Sequence, residues 1–240
     1  MLIKEYNEES GTVFSIECNK LLYRGKSEYQ KIEVYESINY GSILLLDNCF
    51  MITEIGFEQY HDKCIFLAKT KKKSLNILII GGGDFGLVNK IFKSIDVKNI
   101  DVVEIDDKVI KICKKYFANN FKLNQKNRKK VNIIIDDGYE YVNNYDGNKY
   151  DIIIIDCTDP NVIANKLYST IFYKNIYNIL SKNAIFIQQS GSPYLDVEKI
   201  IEPASRKLKK IGMRSLSVNS FSMPLYPLGM WSFIKCKKAQ

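Results

Sequence analysis

The sequence predicts an α/β protein: a doubly wound, mostly parallel sheet preceded by a small antiparallel β domain. Three observations carry this reading. From Asn76 onward, short β-branched runs alternate with stretches of helical period, as they do when helices cover both faces of a parallel sheet. Residues 1–54 instead show two-residue alternation and frequent turn signals. The run Tyr150 to Pro160, YDIIIIDCTDP, sets four successive isoleucines between aspartates, which suits a central strand buried on both faces.

Within residues 1–54, strands are expected at Val13 to Tyr23, Lys31 to Glu36 and Ser42 to Leu46, with turns at Arg24-Gly25, Tyr40-Gly41 and Asp47-Asn48. At residues 55–69 the period changes. Phe57, Tyr60, His61, Cys64, Ile65 and Ala68 fall on one helical face, and Thr53 is placed to cap that helix. The helix should link the β unit to the main domain and is counted with it, giving residues 55–240. Parallel strands are then expected at Asn76 to Ile80, Asn99 to Ile105, Val131 to Ile135, Asp151 to Ile155 and Ala184 to Gln188. Helices should fill Asp84 to Lys93, Asp106 to Phe117, Tyr139 to Asn143, Lys166 to Leu180 and Leu195 to Lys210, the last interrupted by Pro203. Arg214 to Asn219 and Met230 to Cys236 read as two antiparallel strands joined by the loop Pro224 to Gly229.

Composition narrows the chemistry. The six cysteines are scattered without a CxxC pair and His61 is the single histidine, so zinc sites and Cys/His or Ser/His/Asp catalysis are not expected. The cysteines read as reduced thiols, most of them packing residues. No run approaches the ~20 apolar residues of a membrane span, and the N-terminus lacks the apolar core of a secretion signal. A soluble, cytoplasmic protein is expected. The net charge of +8 is spread over small lysine knots in a chain rich in Lys, Asn and Ile, so a nucleic-acid partner is not expected.

The ends of the parallel strands carry the functional signal. The first runs into Gly81-Gly82-Gly83-Asp84-Phe85-Gly86, where Gly81, Gly83 and Gly86 satisfy the GxGxxG pattern and permit close backbone approach to a ligand. The second ends at Glu104, about 20 residues on, where such folds hold ribose hydroxyls. Together these say nucleoside. Asp84, Asp136 and Asp137 after the third strand, and Asp156 and Asp159 after the fourth, then set five carboxylates around one crevice. Like charges ~4 Å apart cost a few kcal/mol at intermediate dielectric, so a pyrophosphate is disfavoured and a cationic nucleoside such as a sulfonium is favoured.

These segments, GGGDFG, VEID at Val103 to Asp106, DDGYEYV at Asp136 to Val142, YDIIIIDCTDP, and MPLYPLGMW at Met223 to Trp231, resemble the ordered motifs of the spermidine synthase (polyamine aminopropyltransferase) family. EYQKIEVYES, GSILLLDN and FEQYHD extend the resemblance over nearly the whole chain. It implies a Rossmann-like, class I methyltransferase-like core, transfer of an aminopropyl group from decarboxylated S-adenosylmethionine to putrescine without metal or further cofactor, and a homodimer or larger homo-oligomer. It further implies that Glu104 binds the ribose, that Asp137 with Gly138 binds the adenine, and that Asp84 binds the aminopropyl ammonium. Gln30, His61, Gly81 and Gly83 would contact the same nucleoside. Asp159 and Tyr226 would hold the polyamine, and Asp156, helped by Tyr60, would be catalytic.

The chemistry suits these residue types. A thioether leaves neutral and needs no acid, whereas a protonated diamine needs a base at one end and an anchor at the other, roles that Asp156 and Asp159 can divide. Departures from the family pattern are Phe85 in place of a glycine, the altered segment Asn161 to Tyr168, Gly191 in place of a glutamate, and an early end after Trp231. Phe85 and the altered segment suggest one alternative, a catalytically idle polyamine-binding relative; the other is an S-adenosylmethionine-dependent methyltransferase acting on an amine, which an acidic Asp84 facing the donor's carboxylate disfavours.

Overall fold

The computed structural model describes residues 1–8, 10–159 and 164–239. The first five strands, β1 (Leu2–Asn7), β2 (Thr12–Lys26), β3 (Lys31–Ser37), β4 (Gly41–Leu46) and β5 (Cys49–Thr53), form one antiparallel sheet in chain order. Two of these, β1 and β5, were not expected. The anticipated turn at Arg24-Gly25 is also corrected, since both residues lie inside β2 and the chain reverses at Ser27 to Gln30, where Ser27 N donates to the Gln30 carbonyl. The Asp47-Asn48 turn is present, with both residues at positive φ (47° and 67°), the conformation that a two-residue hairpin requires.

Helix α1 (Glu58–Ala68) follows. Thr53 does not cap it: its hydroxyl donates to the Ile55 carbonyl, and the helix starts later, after Phe57. The expected face is buried as a unit, with Tyr60, His61, Cys64, Ile65 and Ala68 all turned inward. This helix lies where the two sheets meet. Tyr60 packs against Phe57 beside it, Tyr226 from the C-terminal loop, and Phe233 from the second sheet.

The second sheet contains β6 (Leu75–Gly81), β7 (Val97–Glu104), β8 (Val131–Ile135), β9 (Tyr150–Asp156), β10 (Leu180–Gln189), β11 (Arg214–Ser222) and β12 (Met230–Lys237), in the order β11-β12-β10-β9-β6-β7-β8. The β10-β9-β6-β7-β8 run is parallel and the last two strands are antiparallel, as the sequence implies. Strand β9 is buried from Tyr150 through Ile155, and Ile152 to Ile155 have no exposed surface. At ~1.5–3 kcal/mol per buried aliphatic side chain, this strand anchors the sheet.

Helices α2 (Gly86–Ser94), α3 (Asp107–Tyr116), α4 (Gln125–Arg128), α5 (Gly138–Asn143), α6 (Thr170–Ile179) and α7 (Glu202–Lys210) connect the strands. Two expected helices are broken. A 3₁₀ turn at Ala164–Tyr168 precedes α6, whose cap is the Ser169 hydroxyl accepting from Phe172 N. A π turn at Val197–Ile201 precedes α7, and this places Pro203 in the first turn, where its missing N–H is not needed.

The chain leaves β6 toward β7 and β8, then returns to β9 on the other side of β6. That reversal opens a crevice at the carboxyl ends of β6 and β9. It is closed tightly: Gly81 sits at φ +82°, Gly82 N donates to the Asp156 carbonyl at 2.9 Å, and a Cβ on Gly81 would overlap that carbonyl oxygen. A Cβ on Gly82 (φ +69°) would meet only side-chain atoms, 3.1 Å from Ile79 Cγ2 and 3.3 Å from Asp156 Oδ2. Gly81→Ala should therefore cost about 3 kcal/mol and Gly82→Ala about 1 kcal/mol in urea unfolding. Equal losses would mean that the Asp156 carbonyl does not enforce the glycine.

Candidate active site

A cavity of about 380 Å³ occupies this crevice, roofed by the first sheet and by the loop before β12. Carboxylates reach it from β6 (Asp84), β7 (Glu104), α5 (Asp137) and β9 (Asp156, Asp159). The first sheet adds Glu5 and Asp47. Among the described residues, no lysine, arginine or histidine lines it, although the chain as a whole is basic.

The glycine loop sets the wall. Gly83 has no room for a side chain because its Cβ would lie 2.9 Å from Glu104 Oε2. Glu104 Oε1 accepts from Asp106 N at 3.0 Å, which orients the carboxylate, and burial pushes its pKa up to about 7. Asp137 caps α5 by accepting from Tyr139 N at 2.8 Å, and Gly138 packs so closely that a Cβ would overlap Ile80. Asp136, expected in the same crevice, is exposed and does not line the cavity. It follows Ile135 at the strand end and faces away, its carboxylate accepting from Asp137 N.

Asp84 and Asp156 meet in the middle. Asp84 Oδ1 accepts from Gly86 N at 2.6 Å, and Asp156 Oδ1 accepts from the Tyr60 hydroxyl at 2.6 Å. Burial raises the pKa of both, and the charge of Asp84 raises that of Asp156 further. His61 stands behind this pair and does not line the cavity. Its Nε2 is 3.7 Å from Asp84 Oδ1 and has no hydrogen-bond partner among the described residues. Burial lowers its pKa to about 4, so the ring is neutral at pH 7. Gln30 lines the cavity, yet its amide is engaged by Asp106 Oδ2 at 2.9 Å, as is the Ser27 hydroxyl at 2.6 Å.

Gln189, not anticipated as a site residue, organises the remaining end. Its Nε2, with two hydrogens, lies within hydrogen-bond distance of Asp159 Oδ1 (3.1 Å), the Cys157 carbonyl (2.9 Å) and Tyr168 Oη (3.0 Å), and its Oε1 accepts from Trp231 Nε1 (3.2 Å). Burial, with Asp196 nearby, pushes the Asp159 pKa up to about 7. Trp231 stacks edge-on with Tyr226 at 4.6 Å, and the Tyr226 hydroxyl donates to the Met51 carbonyl, tying this wall to β5. Glu5 was missed with its strand; its Oε2 accepts from Phe50 N at 2.7 Å, and burial raises its pKa. Pro160 and Asn161 to Ile163, in the segment expected to depart from the family pattern, lie outside the described residues.

A glycine-rich turn at the switch point of a doubly wound sheet, opening onto an acidic cavity lined by no lysine, arginine or histidine among the described residues, defines a small-molecule site of the kind such folds carry. Comparison with known proteins specifies it. Residues 1–54 match the family model of the spermidine synthase tetramerisation domain, and residues 58–240 match that of the spermine/spermidine synthase domain. The polyamine aminopropyltransferase of Methanocaldococcus jannaschii is 39% identical over 236 residues, which span 98% of this chain and 78% of that one. The Clostridioides difficile enzyme of the same name is 36% identical over 95% of this chain and 81% of its own. A spermidine synthase solved with the transition-state analogue AdoDATO superposes with a TM-score of 0.88 at 29% identity, over all of this chain and 80% of that one. The spermidine synthase of Thermotoga maritima gives 0.86 with the same identity and coverage. The chain belongs to the spermine/spermidine synthase family of polyamine aminopropyltransferases.

The raised carboxylates have a measurable consequence. Between pH 4.5 and about 7 the folded protein retains a proton on Glu104 that the unfolded chain releases, so the stability of the ligand-free protein falls as pH rises through that window. Glu104→Gln should remove up to about 3 kcal/mol of this slope. Urea unfolding of both proteins at pH 5 and pH 8 tests the sign; a wild-type slope no steeper than the variant's contradicts the burial argument.

Proposed function

We propose that the protein transfers the aminopropyl group of decarboxylated S-adenosylmethionine to putrescine, giving spermidine and methylthioadenosine. The supporting observation is the cavity wall, carboxylates with no counter-cation among the described residues, which suits two cationic substrates held together. In this reading Glu104 takes the ribose hydroxyls, and Asp137 and Gly138 take the adenine. Gly81 and Gly83 let the backbone run beside the nucleoside. Asp84 takes the donor's ammonium. Gln30 borders the donor while anchored by Asp106, and His61 supports Asp84 from behind. Asp159 and Tyr226 hold the distal end of the diamine. No metal or further cofactor is needed, because a sulfonium is already an activated leaving group.

The attacking nitrogen of the diamine bonds to the methylene carbon next to sulfur. The carbon–sulfur bond breaks, and its electron pair stays on a neutral thioether. Asp156 accepts the proton lost by the amine. The hydrogen bond from Tyr60 occupies Oδ1, which leaves Oδ2 as the basic oxygen and fixes its direction. Burial and the neighbouring Asp84 raise the Asp156 pKa to about 6, and sulfonium and ammonium charges arriving within a few ångströms favour the ionised, proton-accepting form. The tetramerisation-domain match supports a homo-oligomer as the working form.

Incubation with each donor and putrescine, followed by mass analysis, tests the reaction. Spermidine and methylthioadenosine are expected with decarboxylated donor; a methylated diamine would install a methyltransferase instead, and bound polyamine with no product an idle relative. Asp156→Asn should lower kcat by ~100-fold or more. Asp159→Asn should act mainly on the putrescine KM, raising it roughly tenfold, the loss of one charge-assisted contact. A fall in kcat with unchanged KM in the second variant would move Asp159 out of the anchoring role.

A further inference from the structure

Phe85 stands where glycine would be the residue of least strain, at φ +64° in the left-handed region, immediately after Asp84 and at the cap of α2. Its ring does not enter the cavity. It turns to the opposite side, is 4% exposed, and stacks on Phe121 with centroids 4.5 Å apart and planes 20° from parallel. Phe121 closes the 3₁₀ turn Ala118–Phe121 after α3. That turn is held to α2 by the Asn89 side chain, whose Nδ2 reaches the carbonyls of Asn119, Asn120 and Lys122 at 3.4, 3.4 and 3.2 Å.

The backbone of Phe85 is pinned on both sides. Its N–H donates to the Gly82 carbonyl at 2.9 Å and its carbonyl accepts from Asn89 N at 3.1 Å. Asp84 thus sits between the Gly81–Gly83 turn, closed against Asp156, and one aromatic anchor rooted in a neighbouring turn, with its own carboxylate held by Gly86 N. A glycine at position 85 would adopt the same φ without strain but would leave the loop held by backbone bonds alone.

We propose that the Phe85–Phe121 stack is a clamp that positions Asp84 toward the ammonium of the donor's transferable arm, so that Phe85 and Phe121 are positioning residues for donor recognition. This rests on the donor assignment made above. Its distinctive consequence is selectivity between two ligands that share a nucleoside. Decarboxylated S-adenosylmethionine carries the aminopropyl arm, whereas methylthioadenosine lacks it and depends on the ribose and adenine contacts.

Titration calorimetry of both ligands against wild type, Phe85→Gly, Phe85→Leu and Phe121→Leu tests the clamp. Phe85→Gly should weaken the decarboxylated donor about tenfold, the scale of one charge-assisted contact, while methylthioadenosine changes less than about twofold. Phe85→Leu should restore part of the loss. Phe121→Leu, whose side chain does not line the cavity, should show the same selective pattern and serves if Phe85→Gly fails to fold. Equal weakening of both ligands, or no weakening of either, with wild-type preference for the donor intact, overturns the clamp alone. A wild-type protein that binds the two ligands equally overturns the donor assignment, and the clamp with it.

Discussion

The protein's central constraint is electrostatic: it gathers carboxylates into one cavity and supplies no cation among the described residues to meet them. Burying an unpaired charge is costly, and the response is visible in the raised pKa values of Asp84, Glu104, Asp156 and Asp159. Such a site needs a frame that will not collapse around it. The two-sided burial of β9 and the tight closure of Gly81 against Asp156 provide one. Backbone amides do the rest, since Gly86 N, Asp106 N and Tyr139 N each donate to one acidic side chain and fix its direction without neutralising it.

That arrangement divides the carboxylates by environment. Asp156 receives a phenolic hydroxyl from Tyr60 and stands beside Asp84, whose charge adds to burial in raising its pKa to about 6. Asp159 is held by the neutral amide of Gln189 at the side walled by Trp231 and Tyr226. Gln189 matters because one side chain fixes both a carboxylate and an indole. Tyr226 then couples this wall to Met51 in the first sheet, which makes that sheet part of the site rather than an appendage. Ser27 and Gln30 do the same on the side of Glu104 through Asp106.

Much of this was legible from residue order because strand ends in a doubly wound sheet converge by topology alone. Knowing that β6, β7 and β9 are neighbours is enough to bring Asp84, Glu104 and Asp156 together. What was not legible follows from local inversions of pattern. In β1 the inward positions are Ile3, Glu5 and Asn7, while Leu2 and Tyr6 face solvent, so a cavity-lining carboxylate replaces the apolar residue that would have marked the strand. Gly25 suggested a turn; in the structure Tyr23 lies across it inside β2, filling the space of a side chain. Asp136 and Asp137 are adjacent, and only the second caps α5 and faces the cavity. Gln189 gave no motif at all, since its role comes from four partners contributed by distant segments.

The absence of basic side chains from the described wall also bears on the donor proposed for the site. A donor that keeps its carboxylate would bring an anion toward Asp84 and Asp156, where no arginine or lysine waits and His61 is neutral because burial lowers its pKa to about 4. Two like charges a few ångströms apart in a partly desolvated site repel by a few kcal/mol, a factor of a hundred or more in affinity. Loss of that carboxylate leaves only the sulfonium and an amine, both attracted. Discrimination between the two donors therefore needs no shape filter. In the proposed reaction it would follow from an acidic wall left uncompensated among the described residues, the same feature that costs the empty protein stability.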